Sequence, residues 1–249
     1  MLDLACGTGA NLRELAPRLA GSQRWILVDH DPKLLEALPG VLAAWALENG
    51  LLLEARATSM RIEGPGWKAE VHLLCIDLAL QLGAVPFAGS RLVTASALLD
   101  LVSASWLDAL FGRVRSAGAA MLFGLNVDGR VTWDPPIAGD EEVDRLFASN
   151  QRRDKGFGPA LGADAVSVAV SRLPAMGFRV SQANSDWHID AGEETQAAAM
   201  LTAMVEGMGT AAIEQDPTAR SSVSAWIQRR IDVLDKTRLR IGHQEILAV

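Results

Sequence analysis

The segment Leu2-Asp3-Leu4-Ala5-Cys6-Gly7-Thr8-Gly9-Ala10-Asn11 constrains this chain more than any other. An apolar run passes into a turn of small residues, and Leu12, Leu15 and Leu19 then follow at helical spacing. Strand, small-residue turn and helix in that order let a backbone approach a ligand closely. Gly7 and Gly9 remove the Cβ atoms that would collide with it. The helix start offers free N–H groups to a carboxylate or phosphate. A dinucleotide-binding turn would read G-x-G-x-x-G. Leu12 stands where the third glycine should be, which weakens a nicotinamide-dependent oxidoreductase reading.

Strand and helix signals go on alternating along the chain. Apolar runs at residues 25–29, 71–76, 92–97, 119–127, 178–185 and 238–249 join the first as strands. Helical periodicity falls near residues 32–49, 103–115, 166–176, 193–206 and 222–234, with Pro39-Gly40 expected to interrupt the first of these. Residues 51–62 are ambiguous and could pair as an extended segment across the Gly64-Pro65-Gly66 turn. Such alternation predicts an α/β fold: one doubly wound domain over residues 1–249, with a mostly parallel seven-stranded sheet covered on both faces. Residues 128–164 carry Pro135, Pro136, Gly156, Gly158, Pro159 and Gly162, and read as an irregular, substrate-capping insertion.

Composition excludes several classes. With 23 basic and 30 acidic residues the net charge is −7, without the broad positive field that nucleic-acid binding needs. The absence of tyrosine rules out tyrosine chemistry. Cys6 and Cys75 do not make a disulfide scaffold. The four histidines show no metal-ligand spacing, so no metal site is expected. No apolar window approaches the ~20 residues a membrane span needs, and the start lacks a signal peptide's basic and apolar regions. A cytoplasmic protein is expected, with no membrane partner and an open oligomeric state.

A second motif sharpens the first. Asp29 ends the apolar strand Trp25-Ile26-Leu27-Val28, and a carboxylate at that tip suits a ribose diol. Here the chain resembles the class I, Rossmann-like, S-adenosylmethionine-dependent methyltransferases. Asp3-Leu4-Ala5-Cys6-Gly7-Thr8-Gly9 is similar to that family's acidic-x-Gly-x-Gly-x-Gly motif, with Ala5 in place of the first Gly. Val28-Asp29-His30-Asp31-Pro32 resembles its second motif, and Leu92-Val93-Thr94-Ala95-Ser96 its fourth, although Arg91 stands where an Asp often opens that strand. Gly177-Phe178-Arg179-Val180 and Gly242-His243-Gln244-Glu245-Ile246 resemble its last two strands, the final one antiparallel. The resemblance implies S-adenosyl-L-methionine as cofactor, held by Asp3, Ala5, Gly7, Gly9, Asn11, Asp29, His30 and Ser96, with Asp77 and Leu78 beside the adenine. It also implies a segment before the first motif that helps cover the cofactor. Because Met1 opens inside strand one, an N-terminally truncated version of the fold is expected.

The acceptor is less legible. A small molecule is expected, with methyl transfer needing little beyond alignment. Asp100 follows the fourth-motif strand and is the one candidate base. Arg152, Arg153 and Lys155, in the long insertion, suggest an anionic acceptor, since Arg offers carboxylate and phosphate a bidentate fork. Trp106, Trp133 and Trp187 could line an acceptor pocket or serve as core or rim, with Trp106 taken as the candidate for the acceptor wall. A non-catalytic cofactor-binding module of the same fold is the alternative from another class.

Overall fold

In the computed structural model, which describes residues 1–56, 58–192 and 195–249 (with the backbone alone at Thr195), β1 (Leu2–Leu4) lies mid-sheet. It runs parallel to β2 (Gly21–Asp29) on one side and β6 (Leu92–Ser96) on the other. The remaining strands are β3 (Leu52–Ala55), β4 (Met60–Gly64), β5 (Trp67–Cys75), β7 (Ala120–Asp134), β8 (Val180–Asn184), β9 (Trp187–Asp190) and β10 (Arg238–Ala248). Their order is β3-β4-β5-β2-β1-β6-β7-β10-β8, with β9 also on β10. Pairs from β5 through β7 are parallel, and β10 is antiparallel to both β7 and β8. The doubly wound sheet with an antiparallel last strand is therefore present, with ten strands among the described residues in place of seven. The additions are the β3–β4 hairpin, joined to β5 across the Gly64-Pro65-Gly66 turn, and β9.

Strand alternation assigns the two faces. Leu2, Leu4 and Val28 point into a core shared with α4 (Ala104–Ala117) and α6 (Ala165–Arg172). Trp25 and Leu27 point the other way, into a core with α1 (Ala10–Leu15) and α2 (Pro32–Glu48). Pro39 and Gly40 do not interrupt α2. An interior proline costs about 3 kcal/mol, but both residues lie on the exposed face. Leu35, Leu38 and Leu42 bury the opposite face, and each fully buried leucine contributes about 1.5–3 kcal/mol. Packing therefore outweighs the missing hydrogen bond.

Residues 128–164 differ from the expected irregular insertion. β7 continues to Asp134, and α5 (Asp140–Gln151) follows. The polar run Asp128-Gly129-Arg130 is carried in β7 as a bulge opposite Gly242, between the Val127–His243 and Val131–Ile241 pairs with β10. On this extension pack α5, α7 (Thr195–Gln215) and α8 (Arg220–Asp232), forming a third core from Trp133, Val143, Leu201, Val205, Val223 and Trp226. The helix expected near residues 193–206 is α7; Glu193 and Glu194 lie outside the described residues. Arg230 ties this outer lobe together. It is fully buried, ion-paired to Asp140, bonded to the carbonyl of Pro135 at 2.9 Å, and stacked 4.5 Å from the Trp133 ring. Among the described residues no helix is long and apolar enough to cross a membrane.

Candidate functional site

The carboxyl ends of β1, β2 and β6 lie side by side, with Gly124 of β7 opposite Ser96, and the backbone at this crevice is under strain. Three non-glycine residues have left-handed φ among the described residues: Ala5 at 51°, Ala97 at 52° and Leu125 at 53°. Each follows directly on, or lies at the bend of, one of the adjacent central strands β1, β6 and β7. An L-residue in that region costs roughly 1–2 kcal/mol, and such strain persists where the surroundings hold it, typically at functional sites. Ala5 occupies the place of the family's first glycine and so carries the strain a glycine would avoid. Gly7 and Gly9 turn the loop at φ 53° and 82°, where glycine is unstrained.

Around this loop the predicted polar residues converge. Asp29, 5% exposed, accepts from the Gly7 N–H at 2.8 Å through Oδ2 and from the Asp31 N–H at 3.0 Å through Oδ1. His30 is exposed, its Nδ1 3.5 Å from Asp29 Oδ1. Asp3 is fully buried on the α1 side of β1, and its Oδ1 accepts from Asn11 Nδ2 at 2.8 Å. The Asn11 Oδ1 accepts in turn from Ser96 Oγ at 2.6 Å. Asp3 Oδ2 has no partner among the described residues. Burial, together with the charge of Asp29 and against the Asn11 hydrogen bond, raises the Asp3 carboxyl to about 7. Burial and the same two carboxylates push the Cys6 thiol up, so it is a packing group and no nucleophile.

A ligand over this loop would meet open space. A Cβ built on Gly7 finds no heavy atom within 4 Å. Leu12, at the third-glycine position, is fully buried in the α2-side core, and α1 is only six residues long. Asp77 caps α3 (Leu78–Gln81), accepting from Ala79 and Leu80 N–H through Oδ1 and leaving Oδ2 available at the end of β5. Leu78 departs from expectation. Its side chain is core, and its carbonyl accepts from Trp106 Nε1 at 2.8 Å.

The expected acceptor residues are rearranged most. Trp106 is 8% exposed and packs edge-on to Phe157 with centroids 5.2 Å apart, so it serves the core and not an acceptor wall. Arg152, Arg153 and Lys155 do not assemble an anion site. Arg152 pairs with Asp164, Arg153 donates to the carbonyl of Glu214, and Lys155 donates to Asn150 Oδ1. Asp154 meanwhile accepts from the Gly156 and Gly158 N–H groups. Asp100 sits in the short turn after β6, Oδ1 without a partner among the described residues. Burial raises its carboxyl, against its own backbone hydrogen bond and the neighbouring His243.

Glu245 escaped the sequence reading. Its Oε1 accepts from the Leu125 N–H at 3.1 Å and from Ser185 Oγ at 2.5 Å. A Cβ on Gly124 would lie 2.6 Å from its Oε2 and 3.1 Å from Ser96 Oγ, so glycine there admits both groups to the crevice rim. No signal short of the pairing of β7 with β10 could have placed it. Among the described residues no three metal-ligating side chains cluster.

No family model and no curated protein matches this chain. Solved structures similar to it include the cyclopropane synthase MmaA2 from Mycobacterium tuberculosis, at 9% identity and TM-score 0.49, covering 100% of this chain and 77% of that one. The precorrin-6y C5,15-methyltransferase from Geobacter metallireducens GS-15 is 12% identical at TM-score 0.43, covering 100% and 78%. A SAM-dependent methyltransferase from Thiobacillus denitrificans, in complex with S-adenosyl-L-homocysteine, is 14% identical at TM-score 0.42, covering 100% and 84%. Likeness at these identities and TM-scores assigns neither activity nor substrate.

Proposed function

We propose that this chain binds S-adenosylmethionine at the carboxyl ends of β1 and β2 and transfers its methyl group to a small molecule. The observation that carries the reading is the pair of buried carboxylates, Asp3 and Asp29, flanking a left-handed small-residue loop. Two acidic groups and the Asn11 amide suit a ligand that brings hydroxyls and positive charge. They oppose a dinucleotide's pyrophosphate, which wants the third glycine and a longer helix.

Each residue has a role its position supports. Asp29 would accept the ribose hydroxyls, and the open face at Gly7 would lie against the ligand. Asp3, oriented by Asn11, would face the ammonium end through its unpaired Oδ2. Asp77 would offer Oδ2 to the adenine amino group. When bound, the cofactor supplies an activated methyl on a cationic sulfur. The protein's contribution is to hold donor and acceptor in line, and alignment of that kind is worth ~7–11 kcal/mol.

Calorimetry with S-adenosylhomocysteine tests the site. The wild type is expected to bind it, and Asp29→Ala to weaken it by about 1.5–3 kcal/mol, the worth of hydrogen bonds to a charged group. Unchanged affinity in a folded Asp29→Ala protein would remove the ribose assignment, and no binding by wild type would remove the cofactor.

A further inference from the structure

Beyond the crevice, between the outer halves of β7 and β10 and the helices α5 and α7, lies a cavity of about 240 Å³. An apolar cavity of ~150 Å³ takes benzene, so this one has room for a fused pair of rings. Its wall includes Phe147, Trp187, Met204 and Met208. Aromatic faces and polarizable thioethers favour a flat aromatic guest, since sulfur packs against ring edges. Val127, also in the wall, is three residues past Gly124, which pairs with Ser96 at the crevice. Strand rise therefore puts Val127 about 10 Å from Gly124 at the crevice rim.

The polar groups of the wall select the guest further. His243 is 4% exposed, and its Nδ1 lies 3.1 Å from the carbonyl of Ile241. A carbonyl only accepts, so Nδ1 donates to it and Nε2 is the ring nitrogen left for another partner. Asp144, on α5, adds a carboxyl. Arg130, at the rim, is committed to Asp128 and Asp186, so the wall offers no unpaired cation among the described residues. A carboxyl with no free Arg or Lys beside it favours hydrogen-bond donors and disfavours anions.

We propose that this cavity binds a neutral, compact aromatic molecule bearing a hydroxyl or amino group, as the acceptor of the reaction inferred above, on which reading its role as acceptor rests. The site replaces the anionic-acceptor expectation drawn from Arg152, Arg153 and Lys155. Burial raises the Asp144 carboxyl to about 6, with Asp140 adding to this and the Trp133 indole and Arg230 opposing it, in keeping with an enclosed, apolar setting.

The test uses 2-naphthol and 2-naphthoate as probes, followed by fluorescence, with S-adenosylhomocysteine calorimetry on the same samples. Ala148 lines the cavity and is exposed on α5, so Ala148→Trp fills the mouth without burdening the core, and Met204→Trp fills it from α7. Wild type is expected to bind 2-naphthol and to bind 2-naphthoate about tenfold more weakly, because a carboxylate would lie near Asp144. Both variants should lose about tenfold or more in 2-naphthol affinity while binding S-adenosylhomocysteine as wild type does. Absent 2-naphthol binding, or binding that neither tryptophan disturbs, overturns the cavity assignment. Naphthoate binding as tight as naphthol overturns the neutral class. If naphthol behaves as expected and wild type does not bind S-adenosylhomocysteine, the cavity stands as a ligand site and its role as acceptor site falls.

Discussion

Asp3→Asn is expected to stabilise the ligand-free protein at pH 8 while weakening its hold on S-adenosylhomocysteine. The Asp3 carboxyl is raised from an ordinary 3.8 to about 7 in the fold. A group with a raised folded value favours the native state fully below its unfolded value, and that advantage disappears as pH climbs to the folded value. Above pH 7 the wild type thus holds a buried carboxylate with one unpartnered oxygen. At 1.36 kcal/mol per tenfold, the handicap is on the order of 4 kcal/mol. Asparagine keeps the shape and removes the charge. Its advantage should be close to zero near pH 4, grow through pH 4–7, and level off above. Urea unfolding at pH 4.5 and pH 8 checks this, and an equal gain at both would show that Asp3 is not the titrating group. An ammonium facing Asp3 would make ligand affinity rise over the same range in wild type and stay flat in the variant.

The second large effect lies in the outer lobe. Arg230→Ala should cost about 3–5 kcal/mol, because it leaves the partner charge of Asp140 buried. That is a large share of the 5–15 kcal/mol of a typical domain. Asp140 would keep the Trp226 Nε1–H at 2.8 Å and the Ile137 N–H at 2.7 Å, but no cation. The Trp133 ring would also lose the guanidinium packed on it. Denaturant unfolding measures the loss. A cost below about 1 kcal/mol, the range of exposed pairs, would mean water reaches Asp140. Replacing Arg230 and Asp140 together by Met and Leu should recover much of the loss, since an apolar pair leaves no charge behind.

The crevice was legible because its grammar is local. Asp3, Gly7, Gly9 and Asn11 fall within nine residues, and Asp29 ends the neighbouring strand, so strand pairing alone brings them together. The outer lobe was not, because its order comes from partners distant in sequence, 90 residues apart for Arg230 and Asp140 and 104 for Arg238 and Asp134. Asp128-Gly129-Arg130 reads as the start of an irregular insertion until Val127 and Val131 on either side of it are paired with β10. The cavity draws Val127, Asp144, Trp187, Met204 and His243 from five elements. Trp187, which the sequence offers as pocket wall, core or rim alike, could not by itself announce the methionines opposite it. Arg152, Arg153 and Lys155 misled for the same reason, since a charge run shows its cations and hides its counterparts.

The two strands that leave the main sheet to build the outer lobe travel side by side. β7 and β10 pair from Met121 with Ala248 to Asp134 with Arg238, on both sides of the junction, with the ladder broken by bulges at residues 124–125 and 128–130 of β7. A lobe hung on a single linker can swing as a door. One carried on a hydrogen-bonded ribbon resists rotation, because any swing must break ladder bonds on both strands. Traffic into and out of the cavity then falls to rotamer changes of Phe147 and Met204 and to breathing of α5 against α7. Such motions run on the nanosecond-to-microsecond scale, faster than whole-domain closure. Turnover by the reaction proposed above should accordingly be insensitive to solvent viscosity.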